Sequence, residues 1–498
     1  MTRPAPTVPA RWLALIATAA ASAAWVFWFR AGLVLSHYDA KAHLVVARRV
    51  FDNLTPGWQQ IGAVWLPLPH LINLLPTQID FFYRTGTFAS AVSIACCGIT
   101  AWAAARIVLR ATGSVTGAAM STALLVLNPN LLYLHATPMT EPLLLAVTFV
   151  VVLWLYEWLD ADELPQRVPS TLRVLLFAAA WTRYEAWLIV AAAIGLTTLV
   201  LWRRRVRFGT IASLVTRLTI GPALAVALFV INSRVTVGAW FVSDGFYVPD
   251  ATYQGLVAKS LLAVWWGTHQ LSGYAIEIVA VVTAIIVLTR SPLLVTVSTF
   301  ATAALPFYAF VHGHPFRIRY MIPSVAACAL FGGLAVGLLE RRHRRLSLAV
   351  AAVLLASSVI ESPPWSGRDA PMVAEALWDH PVSLERQSVT RCLAPAYRGE
   401  KVLASMGSLA HYMQELSADG FALADFINEG NGSIWDVAME TGPAAHAGWM
   451  LVDEHDEGGD VLALRIRRDA SFARGMTRVC EGGGVALYRR NQTAPLAD

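Results

Sequence analysis

What most constrains this chain is a succession of apolar stretches, each about 20 residues long, that begins at Trp12 and ends near Ile360. A stretch of that length crosses a hydrocarbon layer as a helix, because a helix satisfies its own backbone where no water can. Composition agrees: of 498 residues, 56% are hydrophobic and 14% charged, with a mean hydropathy of +0.54, whereas a soluble domain carries about 25% charged residues. The net charge of +5 and pI near 9.0 would suit a nucleic-acid partner if the arginines formed a surface patch. They stand instead in short clusters at the ends of apolar stretches, which is the pattern of membrane orientation and not of nucleic-acid binding.

Those clusters predict a topology of about eleven crossings. The first run, Trp12 to Leu35, follows Arg3 and Arg11; Trp25, Phe27, Trp28 and Phe29 carry it past its alanine-rich part, so it reads as a retained helix and not a cleaved signal. Further helices are expected over Thr85 to Leu109, Ser114 to Leu134 and Pro142 to Leu159, then a pair turning at Thr182-Arg183-Tyr184-Glu185, and one over Ile211 to Ile231. A polar and aromatic loop, Ser233 to Gln270, contains Asp244, Tyr247, Asp250 and His269, and three more helices lead to a last one over Leu346 to Ile360. The clusters Arg203-Arg204-Arg205, Arg207 and Glu340 to Arg345 then all fall on one side, with the loop holding Asp160, Asp162, Glu163 and Arg167. The N-terminus is expected inside with them, and residues 361–498 outside.

Between the first two long runs lies Ser36 to Pro76, too polar to span. Its first half, Asp39 to Leu54, can form a helix with Asp39 and His43 on one face, lying on the membrane surface through Leu44, Val45, Phe51 and Leu54. Pro56-Gly57 breaks it, and Trp65, Pro67, Pro69 and His70 open a second short apolar piece.

From Glu361 the composition changes to that of a soluble domain of about 130 residues, a usual size. Strands at Lys401 to Ser405, Trp449 to Asp453 and Val485 to Arg489 alternate with helices at Ser408 to Leu416, Ile434 to Glu440 and Asp460 to Arg468, which predicts a small α/β layer. The expected architecture is an α-helical polytopic membrane part, residues 1–360 with a loop at 36–84, followed by an extracytoplasmic α/β domain, 361–498. Gly482-Gly483-Gly484 precedes a strand and reads as a turn; Asp453, Glu454, Asp456 and Glu457 lack calcium-loop spacing and read as a solvated loop. Cys392 and Cys480 are the two cysteines in a polar region, where an extracytoplasmic disulfide can form.

Every ionisable candidate for chemistry falls at the outer ends of the expected helices. Asp39, His43 and His70 follow the first, Glu141 opens another, Arg183 and Glu185 sit in a tight turn, and His312, His314, Arg317, Arg319 and Tyr320 precede the helix that starts near Met321. Taken singly, Glu141 could serve the helix dipole, Arg183 with Glu185 a structural ion pair, and the arginines lipid headgroups. Their convergence from separate loops favours a site, since charges at membrane depth are costly. Arginines on the outer side call for an anionic partner, which a membrane-borne phosphate supplies.

The segments HYDAKAH, TPMTEP, TRYEAW and RIRYMIP, in that order and on one side, resemble the GT-C superfamily of membrane glycosyltransferases, in particular family-39-like enzymes related to protein O-mannosyltransferases and lipid A aminoarabinose transferases. The resemblance covers about residues 11 to 345. It implies a polyprenyl-phosphate-linked sugar donor, an inverting transfer to an acceptor hydroxyl of a protein, lipid or glycan, and a bacterial plasma membrane as the location. Asp39 is similar to the family's catalytic base, with Glu141 a second acid, and Arg319 with Tyr320 to its donor-phosphate region. No cofactor is required. Many relatives carry two adjacent acids where this chain has Asp39-Ala40, while His37 and His43 leave room for a divalent cation. Trp435-Asp436 follows isoleucine, so the oligosaccharyltransferase signature is missing. The competing class is a transporter or flippase of a lipid-linked or anionic substrate, which should show internal repeats and charges at helix centres.

Overall fold

The first run forms helix α1, Thr7–Arg30, and stops where Gly32 turns the chain with φ 71°. In the computed structural model, which describes residues 7–161, 166–242, 249–455 and 459–491, α1 leads at once into a second helix, α2, Tyr38–Arg48. The expected loop residues Asp162, Glu163, Asp244, Tyr247, Asp456 and Glu457 lie outside the described residues.

Among the described residues, seven helices are long and apolar enough to cross a membrane: Val8–Arg30, Thr87–Thr112, Glu141–Leu159, Tyr184–Arg203, Phe208–Val237, Leu293–Val311 and Ile318–Glu340. The pair Val257–Ser272 and Tyr274–Leu288, bent by 116° at Gly273, makes an eighth if it is one span. The expected eleven are not reached, for local reasons. The predicted helix over Ser114 to Leu134 is two, Val115–Val126 and Pro129–Leu134, because the Asn128 side chain caps the second by accepting from Asn130 and Leu131 N–H. One member of the pair around Arg183 is the short Ser170–Ala180. The last helix, Arg344–Glu361, is apolar along its middle but carries Arg344, Arg345 and Glu361 within its 18 residues and is not among the seven. Within the expected polar loop Ser233 to Gln270, the part from Val257 is helical.

The Ile322–Glu340 helix is the centre of the bundle, buried at every residue from Ile322 to Gly337. Small residues let it approach Val115–Val126: a Cβ on Gly333 would lie 2.5 Å from the Cβ of Ser121, and one on Gly117 would lie 2.7 Å from the Gly333 carbonyl.

The C-terminal part builds a five-stranded sheet from β1 Val402–Ala404, β2 Phe426–Ile427, β3 Trp449–Asp453, β4 Met476–Gly482 and β5 Val485–Arg490, in the order β2-β1-β3-β5-β4. β1 runs parallel to β2 and β3; β5 is antiparallel to β3 and β4. Three of these strands were expected; β2 has two residues, and β4 carries mostly exposed polar side chains, so neither has an apolar pattern to read. Gly483 and Gly484, both at positive φ, make the β4–β5 turn. Cys392 and Cys480 are joined, tying the His380–Leu393 helix to β4.

This domain corrects the picture of α2. The helix ends at Arg48, not Leu54, and every residue from Asp39 to Ala47 is buried. Leu44 and Val45 do not face lipid: they belong to one hydrophobic cluster with Leu409, Tyr412 and Met413 of the Met406–Leu416 helix. The chain after α2 is bound by the same domain. Asp52 accepts from Ala424 N–H at 3.0 Å, Asn431 donates to Asn53 at 2.7 Å, and Gln60 donates to the Gly430 carbonyl at 2.7 Å. Gly430 and Asn431 stand just beyond the carboxyl end of β2, where open α/β sheets usually leave room for ligands, and Ala424 just before its start.

Candidate functional site

The site begins at the start of α2. His37 is its N-cap: ring Nδ1 accepts from the Asp39 N–H at 3.1 Å, which fixes the turn that aims the Asp39 carboxylate. Arg319 comes from a short 3-10 turn, Ile318–Met321, at the head of the central helix. Its guanidinium lies 2.5 Å from Asp39 Oδ2, and both side chains are almost fully buried, at 7% and 10% exposure. Burial works to raise the Asp39 pKa, but the charge of Arg319, with smaller contributions from His37 and His43, outweighs it and holds the carboxyl well below the ordinary range. Burial, then the Arg319 charge, lowers His37 to about 3; burial lowers His43 to about 3 against the pull of Asp39. Both rings are therefore neutral at ordinary pH.

The neutrality of His37 has a geometric consequence. A neutral His37 can accept at one nitrogen only: when Nδ1 accepts from the Asp39 N–H, Nε2 carries the proton and faces Arg319 Nη1 at 3.2 Å, and when Nε2 accepts from Arg319, Nδ1 carries it. In the first tautomer two donors face the same space, where an oxyanion would satisfy both.

A second charged group adjoins. Glu141 opens the Glu141–Leu159 helix and is 1% exposed; Arg183 Nη1 lies 3.1 Å from its Oε1. Arg183 also donates to Glu185 at 2.7 Å and to Thr140 Oγ1 at 2.8 Å. Neither Glu141 oxygen accepts a hydrogen bond among the described residues. The charge of Arg183 is felt at both His37 and His43, so the two groups form one electrostatic unit. His43 Nδ1 meets His70 Nε2 at 3.0 Å, with the Trp65 ring 4.3 Å from that of His43. Beside them a small recess is lined by His43, Pro69, Asn73, Ser93, Met139 and Thr140, among others.

The structure therefore brings together Asp39, His43, His70, Glu141, Arg183, Glu185 and Arg319. Tyr320 lies against Arg319, its ring centre 5.6 Å from the guanidinium carbon, and its hydroxyl meets His314 Nε2 at 3.2 Å. Arg317 lies over the Trp378 ring. His312 is not drawn in: it is exposed and pairs with the Tyr308 carbonyl of its own helix at 2.8 Å.

Sequence reasoning missed Glu375. From the short helix Pro371–Leu377, its Oε2 accepts from the Ile318 N–H at 2.7 Å, anchoring the turn that carries Arg319. Its Oε1 is 3.9 Å from Arg319 Nε, and neither atom has a hydrogen-bond partner among the described residues. The Met372 N–H donates to Asn130 Oδ1, so this stretch packs on the helical part. Nothing in PMVAEALW signals this role. Among the described residues no three of His, Cys, Asp and Glu come together as metal ligands.

Fold and site define an integral membrane protein with a buried charged centre at the end of the helical bundle that the α/β domain covers. Its fold is shared with solved structures: the crystal structure of ArnT from Cupriavidus metallidurans bound to undecaprenyl phosphate superposes with a TM-score of 0.57 over 96% of this chain and 98% of that one, at 11% sequence identity. The apo-state structure of ArnT from the same organism gives 0.56 over 96% and 100%, at 12% identity. No family model and no curated protein matches the chain.

Proposed function

We propose that this protein is an inverting glycosyltransferase that moves a sugar from a polyprenyl-phosphate-linked donor to an acceptor hydroxyl on the extracytoplasmic side. The observation that carries the reading is the buried Asp39–Arg319 pair with His37 Nε2 beside it. A donor phosphate meets two N–H groups there and draws Arg319 toward itself. As it does, Asp39 loses the charge that depresses its pKa and becomes a better base when the donor is in place. Asp39 then takes the proton of the acceptor hydroxyl; the acceptor oxygen bonds to the anomeric carbon as the bond from that carbon to the phosphate oxygen breaks. The electron pair leaves on the polyprenyl phosphate, stabilised by Arg319, and the anomeric configuration inverts. The unbonded Glu141 oxygens, held in place by Arg183, are suited to accept hydrogen bonds from sugar or acceptor hydroxyls.

The structural neighbour bound to undecaprenyl phosphate supports the donor class. The basic clusters at the opposite helix ends and the disulfide support the sidedness. The transporter reading lacks its signature, since the charges are paired at helix ends and not at mid-helix. The test is transfer in membranes supplied with polyprenyl-phosphate sugars: Asp39→Asn is expected to lose about 10²–10⁴-fold in rate while still binding donor. Near-normal transfer by that variant would remove Asp39 as base.

A further inference from the structure

α2 is gripped on both sides. At one end Asp39 meets Arg319; two residues on, Lys41 points the other way, its ammonium 2.5 Å from Glu415 Oε1 of the Met406–Leu416 helix. Lys41 is 6% exposed. Glu415 is itself held in a buried array: Arg386 donates to it at 3.0 Å and Ser383 at 2.8 Å, while Arg386 also grips Asp379 through two bonds at 3.0 and 2.8 Å. Two cations thus balance two carboxylates, and His411, kept neutral by burial, adds no charge at ordinary pH. The tie is rigid at its far end because Arg386 is held by both carboxylate oxygens of Asp379 and both of Glu415. The contacts of Leu44, Val45, Asp52, Asn53 and Gln60 with the same domain continue it along the chain.

We infer that the C-terminal domain is a working part of the active site: through the Lys41–Glu415 tie it sets the position of α2, and with it the aim of Asp39. Lys41 and Glu415 are positioning residues, acting on the reaction only through Asp39. The inference rests on the glycosyltransferase reading for its catalytic half, and on geometry alone for its mechanical half. A domain that only recruited acceptor would need no buried charge on the helix that carries the base.

The experiment uses full-length protein in lipid nanodiscs, with Lys41→Met, Lys41→Arg and Glu415→Gln compared with wild type. Hydrogen exchange is read on residues 39–47, with residues 322–337 of the central helix as control. Transfer from a polyprenyl-phosphate sugar is read as kcat and donor KM. Lys41→Met and Glu415→Gln should speed exchange over 39–47 at least tenfold without moving the control, and lower kcat at least tenfold with donor KM within twofold. Lys41→Arg should restore both. Unchanged exchange over 39–47 overturns the inference, as does loosened exchange with unchanged kcat, or a loss that only reflects less folded protein. Should wild type transfer no sugar from any such donor, the glycosyltransferase reading fails separately, and the exchange data decide whether the domain positions α2. If Lys41→Met does not fold, Glu415→Gln carries the test, because the glutamine keeps the shape of the side chain.

Discussion

The Asp39–Arg319 pair makes a quantitative prediction. Arg319→Gln removes the cation and leaves a carboxylate whose side chain is 10% exposed, with only neutral imidazoles beside it. Breaking a buried pair from one side costs about 3–5 kcal/mol. The loss has a ceiling: Asp39 can escape by taking up a proton, and from an ordinary value of 3.8 that costs about 4 kcal/mol at pH 7. Asp39→Asn alone strands the guanidinium, for which Glu375 at 3.9 Å is a poor substitute. The double variant strands neither charge, so its loss should fall at least about 2 kcal/mol short of the sum of the singles. SDS-induced unfolding in mixed micelles measures all three. Arg319→Gln should also bring a new acid limb into the pH dependence of transfer, because Asp39 returns toward or above its ordinary range. Additivity within about 0.5 kcal/mol would mean that the 2.5 Å contact carries no coupling, and the reasoning about a masked base would fall.

Two further outcomes follow from the same structure. Gly333→Ala places a methyl 2.5 Å from the Ser121 Cβ and 2.6 Å from the Gly117 carbonyl, so the two central helices must part; a loss of about 1–3 kcal/mol is expected, and thermal unfolding equal to wild type would refute the close approach. His37 and His43 at about 3 and His411 at about 4 are all depressed below the unfolded value of 6.5. Their contribution is therefore complete above pH 6.5 and is lost as pH falls toward their folded values, by up to about 1.4 kcal/mol per unit for each group. Melting temperature should be level from pH 8 to 7 and decline from 6.5 to 4; a rise on acidification over that range would contradict the buried neutral rings.

How much of this could be read in the sequence depended on the range of the signal. Asp39, Glu141, Arg183 and Arg319 were legible because each stands where an apolar run meets a polar one, and sidedness grouped them. His312 had the same signal, yet its ring turns back onto Tyr308, which sidedness cannot predict. The eleven expected crossings are not all matched by length and composition where local features override hydropathy: the Asn128 cap splits the run from Ser114 to Leu134, and Arg344, Arg345 and Glu361 charge the ends of the last helix. α2 was found, but its apolar face was given to lipid because its true partner, the Met406–Leu416 helix, is more than 350 residues away and leaves no local trace. Glu375 stayed hidden for the same reason.

The burial of α2 has a consequence for how the chain is made. Lys41 leaves the ribosome 374 residues ahead of Glu415, and at about 5–20 residues per second it waits roughly 20–75 seconds for its counter-charge. Asp39 likewise precedes Arg319 by most of the membrane part. Throughout that interval the most charged helix of the site has no shelter, and it must be kept from pairing wrongly until the last strands arrive. A chain cut before the terminal sheet would leave α2 uncovered, so the buried charged centre is assembled last although its first residue is among the earliest made.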